Sequence, residues 1–201
     1  MTQTEHGRER RATGVKDQGL DEKQRQAGLK WLFERNIALQ LPSARCAFAN
    51  EAKKKEMVCF FMMQQPHCQI AVWAMLTNGI LAMPFLFGLQ PFLRLLEVKN
   101  HHDVLDKAHG GTALVHLERM VVKPGWQGKG VGSQCLRQGL QECTDREQGV
   151  MLTTQEEKNV NFYSRLGFKE VHRDEDHPFK PTSSTALVYN VIMIYPYEAS
   201  S

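Results

Sequence analysis

Gly128, Gly130 and Gly132 alternate with Lys129 and Val131 directly after the apolar run Met120-Val121-Val122 and just ahead of a segment with an apolar stripe. Alternating glycines between a strand and a helix let successive backbone N–H groups converge on one anion with no Cβ in the way. The first turn of the helix adds unpaired donors and a partial positive charge. Gln127, Gly128, Lys129, Gly130, Val131, Gly132 and Ser133 therefore read as a phosphate or pyrophosphate cradle, which the charges of Lys123 and Lys129 could supplement. A nucleotide-triphosphate loop of the Walker type needs Gly-Lys followed by Ser or Thr, and Gly130 is followed by Val131. A dinucleotide fingerprint needs its third glycine one residue later than Gly132, directly after the first strand of a parallel sheet.

Two further groups of residues carry polar side chains that could serve a site. His116 and Glu118 lie two apart in the apolar run Ala113 to Val122, the spacing of residues on one face of a strand. Asn159 and Tyr163 fall in Lys158-Asn-Val-Asn-Phe-Tyr-Ser-Arg-Leu-Gly-Phe168. The loop Gln127-Gly-Lys-Gly130-Val-Gly132 resembles the pyrophosphate loop of the GNAT superfamily of acetyl-CoA-dependent N-acetyltransferases, and the segment around Tyr163 resembles the second signature of that superfamily. The likeness is close from Ala113 to about Val171 and looser to Tyr195. The fragment Gln69-Ile-Ala-Val-Trp-Ala is similar to the branch that contains puromycin N-acetyltransferase.

The resemblance implies a mixed, mostly antiparallel α/β (α+β) sheet flanked by helices, with acetyl-CoA as co-substrate and no metal. It implies that Met120, Val121 and Val122 contact pantetheine or the acetyl carbonyl through their main chain, that Gln127 to Ser133 hold the pyrophosphate, and that Asn159 touches the cofactor. Val121 and Val122 are equally at home as strand core, and Asn159 as a helix N-cap. Tyr163 matches the family's general acid. A phenol of pKa about 10 can protonate a thiolate whose thiol has pKa about 8.5 at little cost. The base that deprotonates the amine falls on His116 or Glu118; either could instead belong to a solvated polar face.

The elements that must position these groups can be read from periodicity. Gln24 to Leu41 reads as a helix ending before Pro42. Met57 to Met63 and Gln69 to Leu76 read as a pair of antiparallel strands, Pro91 to Ala108 as one or two short helices, and Ala113 to Val122 as a strand. Leu136, Leu140 and Cys143 stripe a helix over Ser133 to Gln148. Val150 to Thr154 reads as a buried strand, Asn159 to Arg165 as a helix closed by Gly167, and Phe168 to Arg173 and Ala186 to Tyr195 as the last strands. Arg119 falls on the strand face opposite His116 and Glu118. The polar stretch up to Glu22 reads as a flexible lead to a single domain over residues 23–198, standing where the family usually has its first strand and helix. A divergent start, a shortened gene product or a strand donated by a partner chain would each explain it.

Composition narrows the rest. The chain has 201 residues, 42% of them hydrophobic, and a net charge of +3, too small for a nucleic-acid wrapper. At this size roughly 70% of the unfolded surface can be buried without a disulfide or metal. Five cysteines without C-x-x-C spacing suggest reduced thiols in the cytoplasm, with Cys135 and Cys143 as core residues. His101, His102 and Asp103 lack a third ligand at matching spacing and read as a surface loop. Ile80 to Val98, broken by Pro84, Gly88 and Pro91, falls short of the roughly 18 apolar residues of a membrane span. The expected partners are acetyl-CoA and a small amine, with neither nucleic acid nor membrane, and a homodimer left open. The expected activity is direct acetyl transfer to a primary amine; the rivals are a catalytically impaired CoA-binding module and an N-acetyltransferase of proteins or peptides.

Overall fold

The computed structural model describes residues 22–51, 54–66, 82–174, 178–182 and 187–196. Its elements in chain order are helix α1 (Glu22–Gln40), strands β1 (Ala44–Glu51) and β2 (Lys54–Gln64), helices α2 (Met83–Phe87) and α3 (Leu89–Ala108), strand β3 (Val115–Val122), helix α4 (Val131–Thr144), strand β4 (Val150–Thr154), helix α5 (Glu157–Ser164), and strands β5 (Lys169–Arg173) and β6 (Val191–Tyr195). The helix expected before Pro42 is α1, which gives way to a 3-10 turn at Leu41–Ser43 containing that proline. Among the described residues no strand precedes it. Pro91 lies in the first turn of α3, where its missing N–H has no intrahelical duty, so α3 runs unbroken for 20 residues, one long helix where one or two short ones were expected. His101, His102 and Asp103 accordingly sit on a helix and not in a loop.

The sheet has six strands in the order β1-β2-β3-β4-β6-β5. Every neighbouring pair is antiparallel except β3 with β4. The strand expected at Met57 to Met63 lies within β2, and its partners are β1 and β3. Gln69 to Leu76 lies outside the described residues, as does Gln69 to Ala74, which carries the likeness to the puromycin branch. β1 was not anticipated, because its alanines and outward-facing Phe48 give no apolar run.

Alternation divides the side chains between two faces. One face presents Cys59, Phe61 and Met63 of β2, Val115 and Leu117 of β3, Val150 and Leu152 of β4, and Val191 and Met193 of β6 to Leu136, Leu140 and Cys143 of α4 and Val160 of α5. The other face buries Met62, Met151 and Ile192 completely. α1 and the C-terminal part of α3 reach that face through polar contacts: Gln40 to Gln64 at 3.2 Å, and His102 to Asn190 at 3.2 Å. At the foot of β6, the buried Asn190 donates to Asp174 at 2.9 Å and accepts from Gln155 at 3.3 Å. Burial alone would raise the Asp174 carboxyl, but hydrogen bonds from His172 and Asn190 hold it below the usual carboxylate range. No helix among the described residues is long and apolar enough to cross a membrane.

Leu136 is fully buried between α4 and the sheet. Leu136→Ala should lower unfolding stability by about 2–5 kcal/mol, because the surrounding strands can collapse only partly into the space left. Urea unfolding followed by far-UV circular dichroism measures this.

Candidate active site

Two adjacent parallel strands ordinarily pair along their length, yet β3 and β4 pair only at Val115 with Val150 and His116 with Met151. Beyond His116, β3 remains bonded to β2 and β4 to β6, so the two strands part and the sheet opens. The parting coincides with an irregularity in β3: Glu118 faces Met62 and Val121 faces Phe60, so Arg119 and Met120 together oppose Phe61. Arg119 takes a positive φ of 53°. A bulge of this kind bends and twists its strand. It also resets the alternation, so that Met120 and Val122 join Leu117 on the core face while Val121 faces the other way. One edge of backbone N–H and C=O groups on each strand therefore borders the gap.

The glycine loop closes the wide end of this gap. Gly125, Gly128 and Gly130 have φ values of 86°, 73° and 77°, a region that side-chain-bearing residues rarely adopt. Gly130 caps α4, whose first internal bond is Gln134 N–H to Gly130 C=O at 2.9 Å. The amides of Val131, Gly132 and Ser133 consequently have no acceptor within the helix. α4 begins at Val131, two residues earlier than the apolar stripe suggests. Gly132 meets β3 closely: a Cβ there would lie 3.0 Å from Val122 Cγ2 and 3.1 Å from Met120 Cε, with Phe162 of α5 at 3.8 Å. The Gln127 side chain donates to the Val122 carbonyl at 3.0 Å and ties the loop back to its strand. Lys123 is paired with Glu56, and Lys129 lies 5.4 Å from the Trp126 ring centre. Neither lysine is organised toward the amides, so the cradle consists of main chain.

Asn159 and Tyr163 both lie on α5. Asn159 is not the N-cap; Glu156 is, and it makes no side-chain cap bond. Asn159 Nδ2 instead donates to Thr154 Oγ1 at the end of β4, at 3.2 Å, and its amide oxygen accepts no hydrogen bond among the described residues. Tyr163 packs edge-on against Phe162 and Phe168, with ring centres 5.1 and 5.5 Å away. Its hydroxyl makes no hydrogen bond among the described residues. Burial pushes its ionisation upward, so at neutral pH it is a phenol able to donate a proton.

On the opposite face of the sheet the two candidate bases differ. His116 Nε2 lies 2.7 Å from the Gly111 carbonyl and Nδ1 3.6 Å from Asp106, so both ring nitrogens are engaged with the end of α3 and the turn after it. His116 also belongs to the last paired rung before the gap. Glu118 is the next residue on that face, beyond the rung. Its partner is Arg119 Nη1 at 3.3 Å. Arg119 also donates to Gln40 of α1 and approaches Met62 Sδ at 3.2 Å, so the bulge carries it to the same face as Glu118, contrary to the simple alternation. No signal in the sequence marks an arginine as a positive-φ residue, and Arg119 and Gln40 were not anticipated at the site.

The remaining candidates fall away from it. Cys143 is buried and its thiol is pushed up by burial; Cys59, beside Cys135, is pushed up to about 12 mainly by burial. Neither is an activated nucleophile. His101 stacks on Phe179 at 4.2 Å. No group of three side chains among the described residues could hold a metal.

Residues 95–170, which run from α3 through the gap strands, the glycine loop and α5 into β5, match the sequence model described as the acetyltransferase (GNAT) domain. The described chain has the fold of the Corynebacterium glutamicum protein called histone acetyltransferase HPA2 and related acetyltransferase, with a TM-score of 0.55 and 15% identity over 91% of this chain and 81% of that one. Similarity is lower to the ribosomal-protein-S18-alanine N-acetyltransferase of Escherichia coli (TM-score 0.43, 12% identity, 91% of this chain and 94% of that one). It is also lower to the Drosophila melanogaster polyamine N-acetyltransferase (0.44, 14%, 70% of each). No curated protein matches the sequence.

The raised ionisation of Tyr163 has a measurable consequence. In the folded protein it should titrate above 10, so that its contribution to stability is complete below pH 10 and is lost as the pH climbs past that value. Absorbance at 295 nm across an alkaline titration should show a late tyrosinate step that is absent in Tyr163→Phe.

Proposed function

We propose that the protein is an acetyl-CoA-dependent N-acetyltransferase that passes the acetyl group directly to the primary amine of a small molecule. The observation that carries this reading is the gap between β3 and β4, which runs from the last rung at His116 and Met151 to the main-chain cradle at Gly128, Gly130, Val131, Gly132 and Ser133. An extended arm with amide groups can pair with the free strand edges, and a pyrophosphate at its end fits a glycine cradle that offers helix N-terminal amides. Met120, Val121 and Val122 would line the arm, Gln127 would hold the cradle to β3, and Asn159 would offer its free amide oxygen from the β4 side.

Acetyl-CoA supplies an activated acyl thioester. The chain's own groups supply proton transfers on the two sides of the sheet. Tyr163, kept neutral by its burial among Phe162 and Phe168, donates to the departing thiolate. Glu118, past the last rung and on the α1 side, takes the proton of the incoming ammonium directly or through water. His116, with both ring nitrogens engaged, positions the start of β3 against α3. Free thiols at Cys46, Cys59, Cys135 and Cys143 agree with a cytoplasmic setting.

Calorimetry with acetyl-CoA and a thiol-release assay over an amine panel test the reading. Gly130→Val should weaken acetyl-CoA binding at least tenfold, since a β-branched residue cannot take φ 77° without distorting the cradle. Tyr163→Phe should keep binding within a few fold and lower kcat by about 10²-fold or more. Unaltered turnover in Tyr163→Phe would remove the phenol from the mechanism, and absence of acetyl-CoA binding in the wild type would remove the activity itself.

A further inference from the structure

Arg119 occupies a conformation that disfavours any side chain, and the bulge thereby points a guanidinium across the acceptor face beside the candidate base. Its side chain is about three-quarters buried, at 25% exposure. Among the described residues only Nη1 is used, toward Gln40, Met62 Sδ and Glu118. Nε and Nη2 make no hydrogen bond among the described residues, and neither is among the fully buried atoms left without a partner. Nε–H and Nη2–H are the parallel donors of the guanidinium edge, whose spacing matches the two oxygens of a carboxylate. Among the described residues the guanidinium edge thus offers two parallel donors without a partner next to an anion, Glu118, which lies just past the last rung between β3 and β4.

We propose that the acceptor is an amine carrying a carboxylate near its nitrogen, of which an α-amino acid is the simplest form, with its carboxylate on Arg119 and its ammonium on Glu118. The proposal rests on the acetyltransferase reading and names the substrate class of that site. Arg119 and Glu118 neutralise each other within the chain. A zwitterion brings the complementary pair of charges, so that its carboxylate satisfies the guanidinium while Glu118 is released to the ammonium. An amine without a carboxylate has to compete with Arg119 for Glu118 and leaves the guanidinium edge unmatched. The bookkeeping closes without further reagents. The ammonium gives one proton to Glu118, and its nitrogen lone pair forms the C–N bond as the C–S bond breaks. The thiolate takes the Tyr163 proton, and the second proton lost by nitrogen restores the phenol through solvent, while the one on Glu118 leaves to bulk.

The test uses the full chain, acetyl-CoA, and glycine, L-leucine, L-phenylalanine, L-glutamate and L-lysine, each beside its carboxamide. For the best pair, kcat/KM for the free acid should exceed that for the amide at least tenfold. Arg119→Gln should bring this ratio close to one, mainly through KM of the acid, and Arg119→Lys should retain part of it. Thermal melts check that both variants are folded, and the ratio is read within each variant, so a general loss of activity does not imitate the effect. A wild-type preference for amides, no discrimination, or an unchanged ratio in Arg119→Gln overturns the proposal. If acetyl-CoA binds but no amine is acetylated, the acetyltransferase reading fails by itself. Equilibrium binding of the same amino acids to the protein with CoA then decides the receptor: binding lost in Arg119→Gln supports it, and no binding in the wild type overturns it.

Discussion

A sheet that stops pairing in its own middle is the constraint around which this molecule is arranged. After His116 and Met151, two parallel strands give up their mutual hydrogen bonds, although each unpaired backbone group in a dry interior costs free energy comparable to a lost bond. The opening can persist because each strand keeps its other neighbour, β2 for β3 and β6 for β4. The two halves are also bridged from one side: α4 lies on β2 and β3, α5 on β5 and β6, and Gly132 allows Val122, Met120 and Phe162 to meet across the seam.

The polar contacts outside the core stiffen the rims of the opening. Lys123 leaves β3 and is held by Glu56 of β2, while Arg45 of β1 reaches Glu142 of α4 at 3.1 Å. Such partly exposed pairs contribute little singly. The Asp174 and Asn190 pair is different in kind, because it is buried and fixes the foot of β6 against β5 and, through Gln155, against the end of β4. Removing either member would break this buried link and leave Asp174 to His172 and His101, or Asn190 to His102 and Gln155. The β4 side of the opening is therefore anchored by buried polar groups and the β3 side by a bulge and a main-chain loop.

How much of this was readable in the residues depends on whether the information was local. The glycine loop was legible because a positive φ demands glycine at Gly128 and Gly130 wherever the chain folds. The motif singles out Tyr163 and Asn159 in the sequence, but it gives no sign of Asn159's partner, Thr154. β1 was invisible, since its register is set by β2 and its alanines carry no pattern. Strand alternation could rank His116 and Glu118 only as equals. The distinction came from Gly111 and Asp106, which the fold brings beside His116 from the end of another helix. The bulge was the largest omission: an arginine is a poor candidate for φ 53°, and its presence moved Arg119 from one face of the sheet to the other.

The cradle's reliance on main-chain donors has a consequence for how such a site can diverge. Because the amides of Val131, Gly132 and Ser133 are left without an acceptor inside the helix, an anion held there under the proposed function would place no demand on the side chains at Lys129, Val131 and Ser133. The shape of the backbone is what must be inherited, and it is recorded in a few glycines and in a gap that no single residue encodes. A fold shared at 15% identity is compatible with such an arrangement. Geometry can then persist after most of the letters have changed, whereas under the proposed function a change of acceptor would need alteration only on the opposite face, where Glu118 and Arg119 lie.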